Sequence, residues 1–455
     1  MSRRVTPTDS RPLASRRSFL VASAGLMASG LSAFARAEGR PPVHAPRATD
    51  GDDRHEPIWD ERFTLTVGQK QGDLIGRDDR VLQAAVDYVA RLGGGTVQIL
   101  PGTYTLRNSV FLPSGVRLRG SGPDSIITKG PSETIKLAAD SDWYDQEITL
   151  AQPGPFRVGD GVVLRTKNPH NGSIDVIRRT LVARSGNRFK LDDGIRKNLW
   201  LSGEPTCSSL FPLLTSERTA DVVIENLTLD GNKANNENLN GNYGGAIFLQ
   251  DCNRYTIRGV EARNYNGDGI SFQICHDVVV EDCHSHDNAD LGLHPGSGSQ
   301  RPLLKNNRLE RNTIGLFWCW GVKFGLAENN TMAGNRNYGI SIGHNDTDNV
   351  MRNNHVSDSG NVGILFRDDA RGQDFWANRN LVEGNTVINS GDEAGVAIDV
   401  QGQTKDVRLI GNTIQETRQP MQRIGIRIAA EAGPVEVRDN AIEGVAEAIV
   451  DLRTS

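Results

Sequence analysis

Short stretches of alternating apolar and variable residues, each opened by a glycine, run through the C-terminal half of the chain. They are Gly245-Ala-Ile-Phe, Gly269-Ile-Ser-Phe, Gly292-Leu-His-Pro, Gly315-Leu-Phe-Trp, Gly339-Ile-Ser-Ile, Gly363-Ile-Leu-Phe, Gly395-Val-Ala-Ile and Gly425-Ile-Arg-Ile. Alternation with a period of two residues is typical of strands. The first six glycines recur every 23 or 24 residues, and the last two follow after 32 and 30. Such a repeat predicts one strand-bearing coil per unit and hence an all-β solenoid.

A second regular feature of the same coils is an asparagine that precedes a short apolar alternation. These residues are Asn226, Asn307, Asn330, Asn354, Asn385, Asn412 and Asn440. Asparagine tolerates left-handed backbone at a sharp corner, and stacked amides can hydrogen-bond across strands about 4.8 Å apart. The series therefore predicts a structural ladder and favours a strand solenoid over a leucine-rich one.

The segment before the repeats has the pattern of a cap. Asp78-Asp79 opens an amphipathic helical pattern that stops at Gly93-Gly94-Gly95, and a strand and a Pro-Gly-x-Tyr sequence ending at Tyr104 follow. A helix at the end of a solenoid covers the apolar core of the first coil. This order resembles the N-terminal start of the pectate lyase-like superfamily. The resemblance implies a single-stranded, right-handed parallel β-helix with an N-terminal capping helix.

The patterns divide the chain into five segments. Residues 1–37 are predicted to be a twin-arginine signal peptide, 38–60 a linker, 61–137 the N-terminal cap and first coils, 138–215 a small β insertion, and 216–455 the coils that carry the site. The insertion is predicted because the coil period is lost there and short antiparallel strands with Gly, Pro and Asn turns replace it.

The N-terminus predicts where the protein functions. Ser15-Arg16-Arg17-Ser18-Phe19-Leu20 resembles the twin-arginine export motif, and an apolar run and the small-residue site Ala35-Arg36-Ala37 follow it. We therefore expect export to the periplasm or the extracellular space. No later segment is apolar for the roughly eighteen residues that a membrane span needs, so no membrane association is expected after signal removal.

The net charge and the cysteine content argue against nucleic acid and zinc as ligands. The net charge of -5 and a pI near 6.0 give no basic surface for nucleic acid. The five cysteines form no C-x-x-C pair, which argues against a zinc site, and folding before export makes disulfides unexpected. The thiols are interpreted as inert.

The alternation in the glycine-led strands also predicts which side chains face the core and which face outward. Residues one and three places after each glycine should face the core, and those two and four places after it should face outward. Coils three to six carry titratable and stacking groups at the outward positions and just beside them. Candidate catalytic residues are His294, His344, Arg367, Asp268, Asp290 and Asp368, and candidate substrate-binding residues are Trp320, Lys323, Gln273, Tyr338 and Asp399. A solvated strand face seldom concentrates such groups, so the cluster predicts a functional site.

The shape of this face indicates a polysaccharide ligand. A long, repeated surface with an exposed tryptophan suits stacking against sugar rings, whereas small cofactors need a closed pocket. The superfamily resemblance implies the same, because its exported members are polysaccharide lyases, glycoside hydrolases or uronate epimerases. No cofactor is predicted, and the oligomeric state stays open.

β-Elimination from a uronate is the leading hypothesis. Elimination needs a cation at the sugar carboxylate and a base for the neighbouring proton. We assign the base to His294 or His344 and the cation to Arg367. A uronate epimerase would use the same residues, and a non-catalytic glycan-binding solenoid remains a third alternative.

A glycoside hydrolase is the second hypothesis, using Asp268 with Asp290 or Asp368. Hydrolases need two carboxyl groups about 5 Å or about 6.5–9.5 Å apart. Asn266-Gly-Asp268-Gly-Ile-Ser is similar to the Asn-Thr-Asp-Gly-Ile string of polygalacturonases, and Tyr338-Gly-Ile-Ser-Ile-Gly343 is similar to their Gly-His-Gly-Ile-Ser-Ile-Gly. The adjacent Asp-Asp of that family is absent, and Tyr338 replaces its histidine.

Two further sequence segments were considered for the geometry of the site and for a metal ion. Gly292-Leu-His-Pro-Gly-Ser-Gly-Ser299 places proline at an inward position, which predicts a bend or bulge that re-aims His294. Asp346 and Asp348 offer carboxylates for Ca²⁺, but two carboxylates fall short of the six to eight oxygens that such a site takes. No metal is therefore assigned.

Overall fold

The computed structural model describes residues 61–454, so the predicted signal peptide and linker lie outside the described residues. Each coil contributes one strand to each of three long parallel sheets. In one coil these strands are Gly245–Gln250, Asn253–Arg258 and Glu261–Arg263, after which Asp268–Gln273 begins the next coil. This winding confirms the predicted all-β parallel β-helix.

The sheet that contains the glycine repeats has eleven strands and is called the glycine sheet below. Its strands are Val110–Phe111, Leu214–Glu217, Gly245–Gln250, Asp268–Gln273, Leu291–Gly296, Ile314–Phe317, Tyr338–Ile342, Val362–Phe366, Val396–Val400, Ile424–Ile428 and Glu447–Asp451.

The other two long sheets complete the coils. The thirteen-stranded sheet contains Leu74–Ile75, Thr64–Gly68, Gly95–Ile99, Val116–Gly120, Ala220–Glu225, Asn253–Arg258, Val279–Glu281, Leu303–Lys305, Leu326–Glu328, Val350–Arg352, Leu381–Glu383, Val407–Ile410 and Val435–Arg438. The second eleven-stranded sheet contains Gly102–Leu106, Ser125–Lys129, Thr228–Asp230, Glu261–Arg263, His284–His286, Arg308–Glu310, Thr331–Ala333, His355–Ser357, Thr386–Ile388, Thr413–Gln415 and Ala441–Glu443.

The core is a continuous apolar column inside the coils. Inward residues of the glycine strands, such as Ile270, Leu293 and Leu316, are fully buried in it. Trp318 follows the strand Ile314–Phe317 and is also fully buried there. It is therefore core, whereas Trp320 remains exposed.

The predicted asparagine ladder forms from Asn307 to Asn440, whereas Asn226 stands one register position earlier, level with Asn306, and is not part of it. Each amide from Asn307 to Asn412 donates through Nδ2 to the next Oδ1, for example from Asn330 to Asn354 over 2.9 Å, and the series ends at Asn440. The left-handed residue at the corner is the one before each ladder asparagine, as at Asn329 and Asn353, and Asn226 alone of the predicted series has positive φ itself. The ladder side chains thus turn inward, where they satisfy buried backbone groups.

The N-terminal end is covered by the helix Asp79–Arg91. Its buried residues Leu82, Ala85, Val86 and Val89 belong to the main core. Short 3₁₀ turns occur at Leu201–Gly203, Lys233–Asn235 and Leu452–Thr454. No helix within residues 61–454 has the length and hydropathy that crossing a membrane requires.

A six-stranded antiparallel sheet interrupts the early coils. Its strands are Thr134–Lys136, Thr206–Ser208, Gly161–Lys167, Ile174–Ser185, Arg188–Leu191 and Glu147–Thr149. This sheet has its own apolar core around Leu164 and Phe189. It begins a few residues before position 138 and ends before position 215, since Leu214–Glu217 already belongs to the glycine sheet.

Candidate functional site

The glycines of the repeat are required by the way consecutive coils pair. A Cβ on Gly269 would lie 2.0 Å from Ser285 Oγ, and one on Gly292 would lie 2.6 Å from Asn312 Nδ2. In the strand pairing, Gly245 lies opposite Asp268 and Ile247 opposite Ile270, so Asp268 occupies the place that the repeat glycine has in the preceding strand. Asp268 begins the strand Asp268–Gln273, and its carboxylate lies against His294 of the next strand.

Asp268 and His294 form a buried pair on this outward face. His294 Nδ1 donates to Asp268 Oδ2 over 2.7 Å, and Asp268 Oδ1 accepts the backbone N–H of Leu291 over 3.1 Å. The carboxylate fits because Gly241 has no side chain: a Cβ there would lie 1.7 Å from Asp268 Oδ2. Ser271 Oγ lies 3.3 Å from the same imidazole nitrogen.

This pairing sets the protonation of His294. Burial lowers the pKa of the imidazole, but the hydrogen bond and charge of Asp268 outweigh burial, and Cys319 adds to them, so the pKa rises to about 9. His294 is therefore an imidazolium at neutral pH. Its Nε2 is buried and has no hydrogen-bond partner of regular geometry among the described residues.

Arg367 contacts the same aromatic ring, Phe317, as His294 does. Its guanidinium stacks 4.4 Å from the centre of the Phe317 ring, and the His294 ring meets Phe317 edge-on at 5.3 Å. Arg367 donates through Nη1 to Ser341 Oγ over 2.8 Å and through Nη2 to the Trp318 carbonyl over 3.0 Å. Two cationic groups therefore flank one aromatic ring.

A pocket of about 370 Å³ opens beside these residues. It is lined by Asn242, Gln250, Gln273, Ile274, Ser297, Cys319, Trp320 and Arg371. Trp320 is 42% exposed, and the Arg371 guanidinium lies 4.8 Å from the centre of its ring. The pocket thus combines a stacking surface, a thiol, an amide and a cation, which is the composition expected for an acidic sugar.

His344 supports this pocket from behind Trp320. The two rings lie 5.0 Å apart, and Phe375 packs on the other side of His344 at 5.4 Å. His344 Nδ1 accepts the backbone N–H of Arg371 over 2.9 Å, so the proton of the neutral ring is on Nε2. Burial lowers the pKa of His344, which is therefore neutral at pH 7.

Three further predicted residues, Gln273, Asp290 and Tyr338, lie near the pair of Asp268 and His294 but have different surroundings. Gln273 is buried on the pocket wall, and its Nε2 donates to Ser271 Oγ over 3.2 Å. Asp290 accepts from Asn238 Nδ2 over 2.8 Å, and burial together with the Asp268 charge raises the pKa of Asp290. Tyr338 begins the strand Tyr338–Ile342 and packs against an outer apolar patch that contains Val362.

The structure does not bring the other three predicted residues into the pocket. Lys323 lies at the bridge between Gln300 and Thr347, at the turn toward the thirteen-stranded sheet. Asp399 is fully buried and is neutralised by Arg427, whose Nε donates to it over 2.9 Å. Asp368 is exposed, whereas its neighbour Asp369 pairs with Arg371 over 3.2 Å.

The carboxylates considered for Ca²⁺ have other partners. Asp346 is fully buried and accepts the backbone N–H groups of Gly321, Val322 and Gly343 over 2.9 Å. Asp348 pairs with Arg379. Asp346 thus holds the turn beneath Arg367, from which it lies 3.8 Å, and neither carboxylate is arranged as a cation ligand.

One cluster on the second eleven-stranded sheet has metal-ligating side chains. The ligand atoms of Glu261, His284 and His286 lie within 4.8 Å of one another. Arg263 pairs with Glu261 over 3.2 Å, and His284 lies 3.0 Å from Glu310. These partners already satisfy the cluster, so it is a network of charged groups on the side of the helix.

Among the pocket residues that the sequence did not single out, Cys319 and Arg371 have ionisable side chains. Cys319 stands four places after Gly315, an outward position by the alternation rule, but all five cysteines were interpreted as inert thiols. Arg371 lies in an irregular loop after the strand Val362–Phe366, where no repeat pattern marks it. Its pairing with Asp369 and its stacking on Trp320 are visible only in three dimensions.

A second, larger cavity of about 650 Å³ lies between the insertion and the first coils. Arg178 of the insertion stacks over the Phe248 ring at 4.4 Å within it. Gln250 lines both cavities. The two cavities therefore adjoin at Gln250, one beside Trp320 and the other beside the insertion.

Comparison with known proteins bears on the fold. Residues 217–375 match the family model described as the right handed beta helix region. No curated protein sequence matches the chain. Among solved structures, the A-module of the Azotobacter vinelandii mannuronan C-5 epimerase AlgE6 is 17% identical over 82% of this chain and 91% of its own, with a TM-score of 0.54.

The A-module of the mannuronan C-5 epimerase AlgE4 from the same organism gives a similar result. It is 16% identical over 84% of this chain and 97% of its own length, with a TM-score of 0.54. At this level of identity the likeness shows the fold. Together with the family match and the three parallel sheets, it identifies the chain as a right-handed parallel β-helix protein, as the superfamily resemblance had implied.

Proposed function

We propose that the protein acts on uronate-containing polysaccharides by removing the proton next to the sugar carboxylate, with β-elimination as the outcome. The observation that carries this proposal is the buried pair of His294 and Asp268 beside a pocket lined by Trp320 and Arg371. It places the His294 imidazolium, with its Asp268 counter-ion, and the Arg371 guanidinium next to a stacking surface. Both are needed to bind an acidic sugar and to stabilise the anion formed when its C5 proton leaves.

The proposed reaction needs positive charge near the uronate carboxylate. Loss of the C5 proton places negative charge on the uronate carboxylate, and preorganised cations stabilise such charge more strongly than water does. The pocket provides the Arg371 guanidinium, with the His294 imidazolium and Arg367 beside it. Of these, Arg371 is the group we assign to the substrate carboxylate, because it lines the pocket and Arg367 is tied to Ser341 and Trp318.

The roles first given to the histidines change with this geometry. A base must be unprotonated, but Asp268 keeps His294 charged at neutral pH. The acceptor nitrogen of His344 is occupied by the Arg371 N–H, and its other nitrogen carries the proton. We therefore assign His294 to charge stabilisation and His344 to positioning of the Trp320 and Arg371 loop.

Proteins of the same fold support a uronate as the substrate class. The AlgE6 and AlgE4 modules are named as mannuronan C-5 epimerases, which act on a polyuronate at the same carbon. Epimerisation and elimination share the removal of the C5 proton. They differ in whether a proton returns to C5 or the C4–oxygen bond breaks. Our assignment of elimination is therefore tested by the product.

A hydrolase is the second candidate, and one observation favours it. Burial and the Asp268 charge raise the pKa of Asp290, as expected for a general acid. The weakness of this alternative is the second carboxylate, since Asp268 is held by His294 and by a backbone N–H. Asp290→Asn should abolish hydrolysis but should slow elimination only a few-fold.

Product analysis over a panel of polysaccharides tests the proposal. The mature protein is incubated with polymannuronate, polyguluronate, polygalacturonate, polyglucuronate and a neutral glucan. We expect ultraviolet absorbance from an unsaturated uronate together with new reducing ends on one polyuronate. Reducing ends without that absorbance would favour hydrolysis, and deuterium entering C5 from heavy water without cleavage would favour epimerisation. Binding without any of these changes would contradict an enzymatic role.

A charge variant tests the assigned carboxylate contact. Arg371→Gln should raise KM for the polyuronate by roughly tenfold or more, because it removes the cation that lines the pocket. Arg379→Gln is the matched control, since Arg379 is an exposed arginine paired with Asp348 outside the pocket. Equal KM values for the two variants would contradict the assignment.

A further inference from the structure

The cavity between the insertion and the first coils contains a guanidinium without an anionic partner. The cavity has a volume of about 650 Å³, a size typical of ligand sites. Arg178 of the strand Ile174–Ser185 lines it, and its guanidinium lies 4.4 Å from the centre of the Phe248 ring. Among residues 61–454 this guanidinium makes no ion pair, and its one hydrogen bond is a long contact of 3.5 Å from Nη2 to Gln250 Oε1. A guanidinium has five N–H donors, so most of those of Arg178 are available to a ligand.

The other basic side chains that line this cavity already have acceptors. Arg179 donates to the Gly194 carbonyl, Arg196 contacts Asp193, and Lys197 pairs with Asp175. The carboxylate of Glu217 also lines the cavity, but it pairs with Arg218 over 3.4 Å. Burial lowers the pKa of Arg178, and the negative charge of Glu217 offsets this effect only in part. Arg178 is therefore a half-buried cation that no ion pair within residues 61–454 neutralises.

The Phe248 ring belongs to the row of outward residues that contains His294. Phe248 pairs with Ser271, and Ser271 pairs with His294, in the next two strands of the glycine sheet. Phe248 therefore lies roughly 10 Å from His294 along the axis of the β-helix, at about 4.8 Å per strand. Gln250 borders both this cavity and the pocket beside Trp320. A polymer bound in the pocket can therefore continue into the cavity.

We propose that this cavity is a second uronate-binding site, in which Arg178 binds the carboxylate of another sugar of the polymer that reacts beside His294. The inference rests on the proposed function, and it names a run of consecutive uronates as the substrate class. A planar guanidinium stacked on an aromatic ring keeps its N–H groups in one plane, which suits bidentate binding of a carboxylate. The insertion thus contributes affinity for acidic sugars at a distance from the reacting one.

The affinity for uronate hexasaccharides tests this site directly. Surface plasmon resonance on immobilised protein measures the Kd under a continuous flow of hexamannuronate or hexagalacturonate, so turnover does not deplete the ligand. For the hexauronate that binds more tightly, Arg178→Gln should raise the Kd about tenfold, because one charged contact is lost. The matched control is Arg188→Gln, since Arg188 is an exposed arginine of the insertion that pairs with Glu147 outside the cavity. Its Kd should equal that of the unaltered protein.

Two further variants separate the role of Arg178 from a general effect on the fold. Arg178→Lys keeps the charge and much of the length but loses the planar guanidinium, so its Kd should lie between those of the unaltered protein and Arg178→Gln. In the double variant with Arg371→Gln, the two increases in Kd should multiply, because the two cations bind different carboxylates. A double variant no weaker than Arg371→Gln would show that both arginines bind one carboxylate, and would overturn the second site.

The outcomes distinguish this inference from the proposed function. Equal Kd values for Arg178→Gln and Arg188→Gln would overturn the second site and leave elimination standing. If Arg178→Gln does not fold, a Kd of Arg178→Lys equal to that of the unaltered protein would overturn the bidentate contact. Hexauronate binding that depends on Arg178, in a protein that alters no polyuronate, would overturn the proposed function and leave the site standing. A protein that binds neither hexauronate would contradict both.

Discussion

Small residues control the geometry of the charged side chains at this site. Gly241 leaves room for the Asp268 carboxylate, and Gly296 leaves room for the Gln273 amide. Gly343 does the same for Arg367, whose Nη2 would lie 2.4 Å from a Cβ there. The positions of these polar and charged side chains therefore depend on neighbouring residues that have no side chain.

Gly241→Ala tests this dependence at a residue that carries no functional group. The new methyl would lie 1.7 Å from Asp268 Oδ2, so the carboxylate must move away from His294. We expect kcat on the substrate to fall roughly 100-fold while the protein still folds. Gly130→Ala is the control, because a Cβ there meets nothing within 4 Å. Equal activity of the two variants would contradict the importance of the carboxylate position.

Lys129 gives a prediction about stability and pH. Its ammonium is buried 4.4 Å from the centre of the Tyr265 ring, and burial lowers the pKa of Lys129 to about 7. The unfolded chain, with a lysine pKa near 10.4, then binds more protons than the folded chain between about pH 7 and 10, so stability rises with pH over that window. Lys129→Met should remove this rise and stabilise the protein by roughly 4 kcal/mol at pH 7.

Denaturant unfolding at a series of pH values measures this effect. Lys136→Met serves as the control, since Lys136 is mostly exposed. If the unfolding free energy of Lys129→Met rises with pH as steeply as that of the unaltered protein, the rise does not come from Lys129.

At the scale of the element, each coil is held by hydrogen bonds that link it to the next. The strands supply backbone pairs, and the ladder asparagines supply buried side-chain pairs at one corner. Asn354 is an example: its Nδ2 donates to Asn385 Oδ1 and to the Ala327 carbonyl, and its Oδ1 accepts from Asn330 Nδ2. Its loss would leave several buried partners unsatisfied.

Asn354→Ala should therefore cost about 2–4 kcal/mol of unfolding free energy, since each unsatisfied buried group costs about 1–3 kcal/mol. Asn361→Ala is the comparison, because Asn361 is exposed and makes only a 3.5 Å contact with Asn337. Chemical denaturation of both variants measures the difference. A small effect at Asn354 would mean that water or backbone shifts replace the ladder.

The glycine and asparagine repeats were sufficient to predict the coils and the row of outward residues that contains the site. They could not identify which outward groups react. His294 was recognisable as a candidate, but its charge depends on Asp268, one coil away, and on burial. Arg371 becomes a candidate only through Trp320, 51 residues away in the chain, on which its guanidinium stacks.

At the scale of the whole molecule, stability is distributed along one axis because each coil contacts chiefly its neighbours. The N-terminal end is closed by the helix Asp79–Arg91, but the last strand, Glu447–Asp451, is largely exposed, with Ile449 48% accessible. The site lies between residues 268 and 371, several coils from that end. Changes at the C-terminal end should therefore affect stability without affecting chemistry.

Truncation after Gly444 tests this separation. Removal of the last strand uncovers the edge of Ile424–Ile428, at a cost of roughly 2 kcal/mol for one isoleucine-sized contact. We expect Tm to fall by roughly 2–6 °C while kcat and KM stay unchanged. Calorimetry and kinetics on the truncated protein check both expectations. A loss of activity at temperatures well below Tm would show that the coils are coupled over a longer distance.

Asp268, His294 and Arg367 each come from a different turn of the chain, and the successive intervals of 26 and 73 residues are close to one and three repeat lengths. This distribution has a consequence for evolution. Duplication or deletion of a whole coil outside residues 268–371 lengthens or shortens the outward face and preserves the spacing of these groups. The same event inside that interval changes their separation by about 4.8 Å per coil and breaks up the proposed site. Length of the bound polymer and chemistry on it can therefore change independently in descendants of this chain.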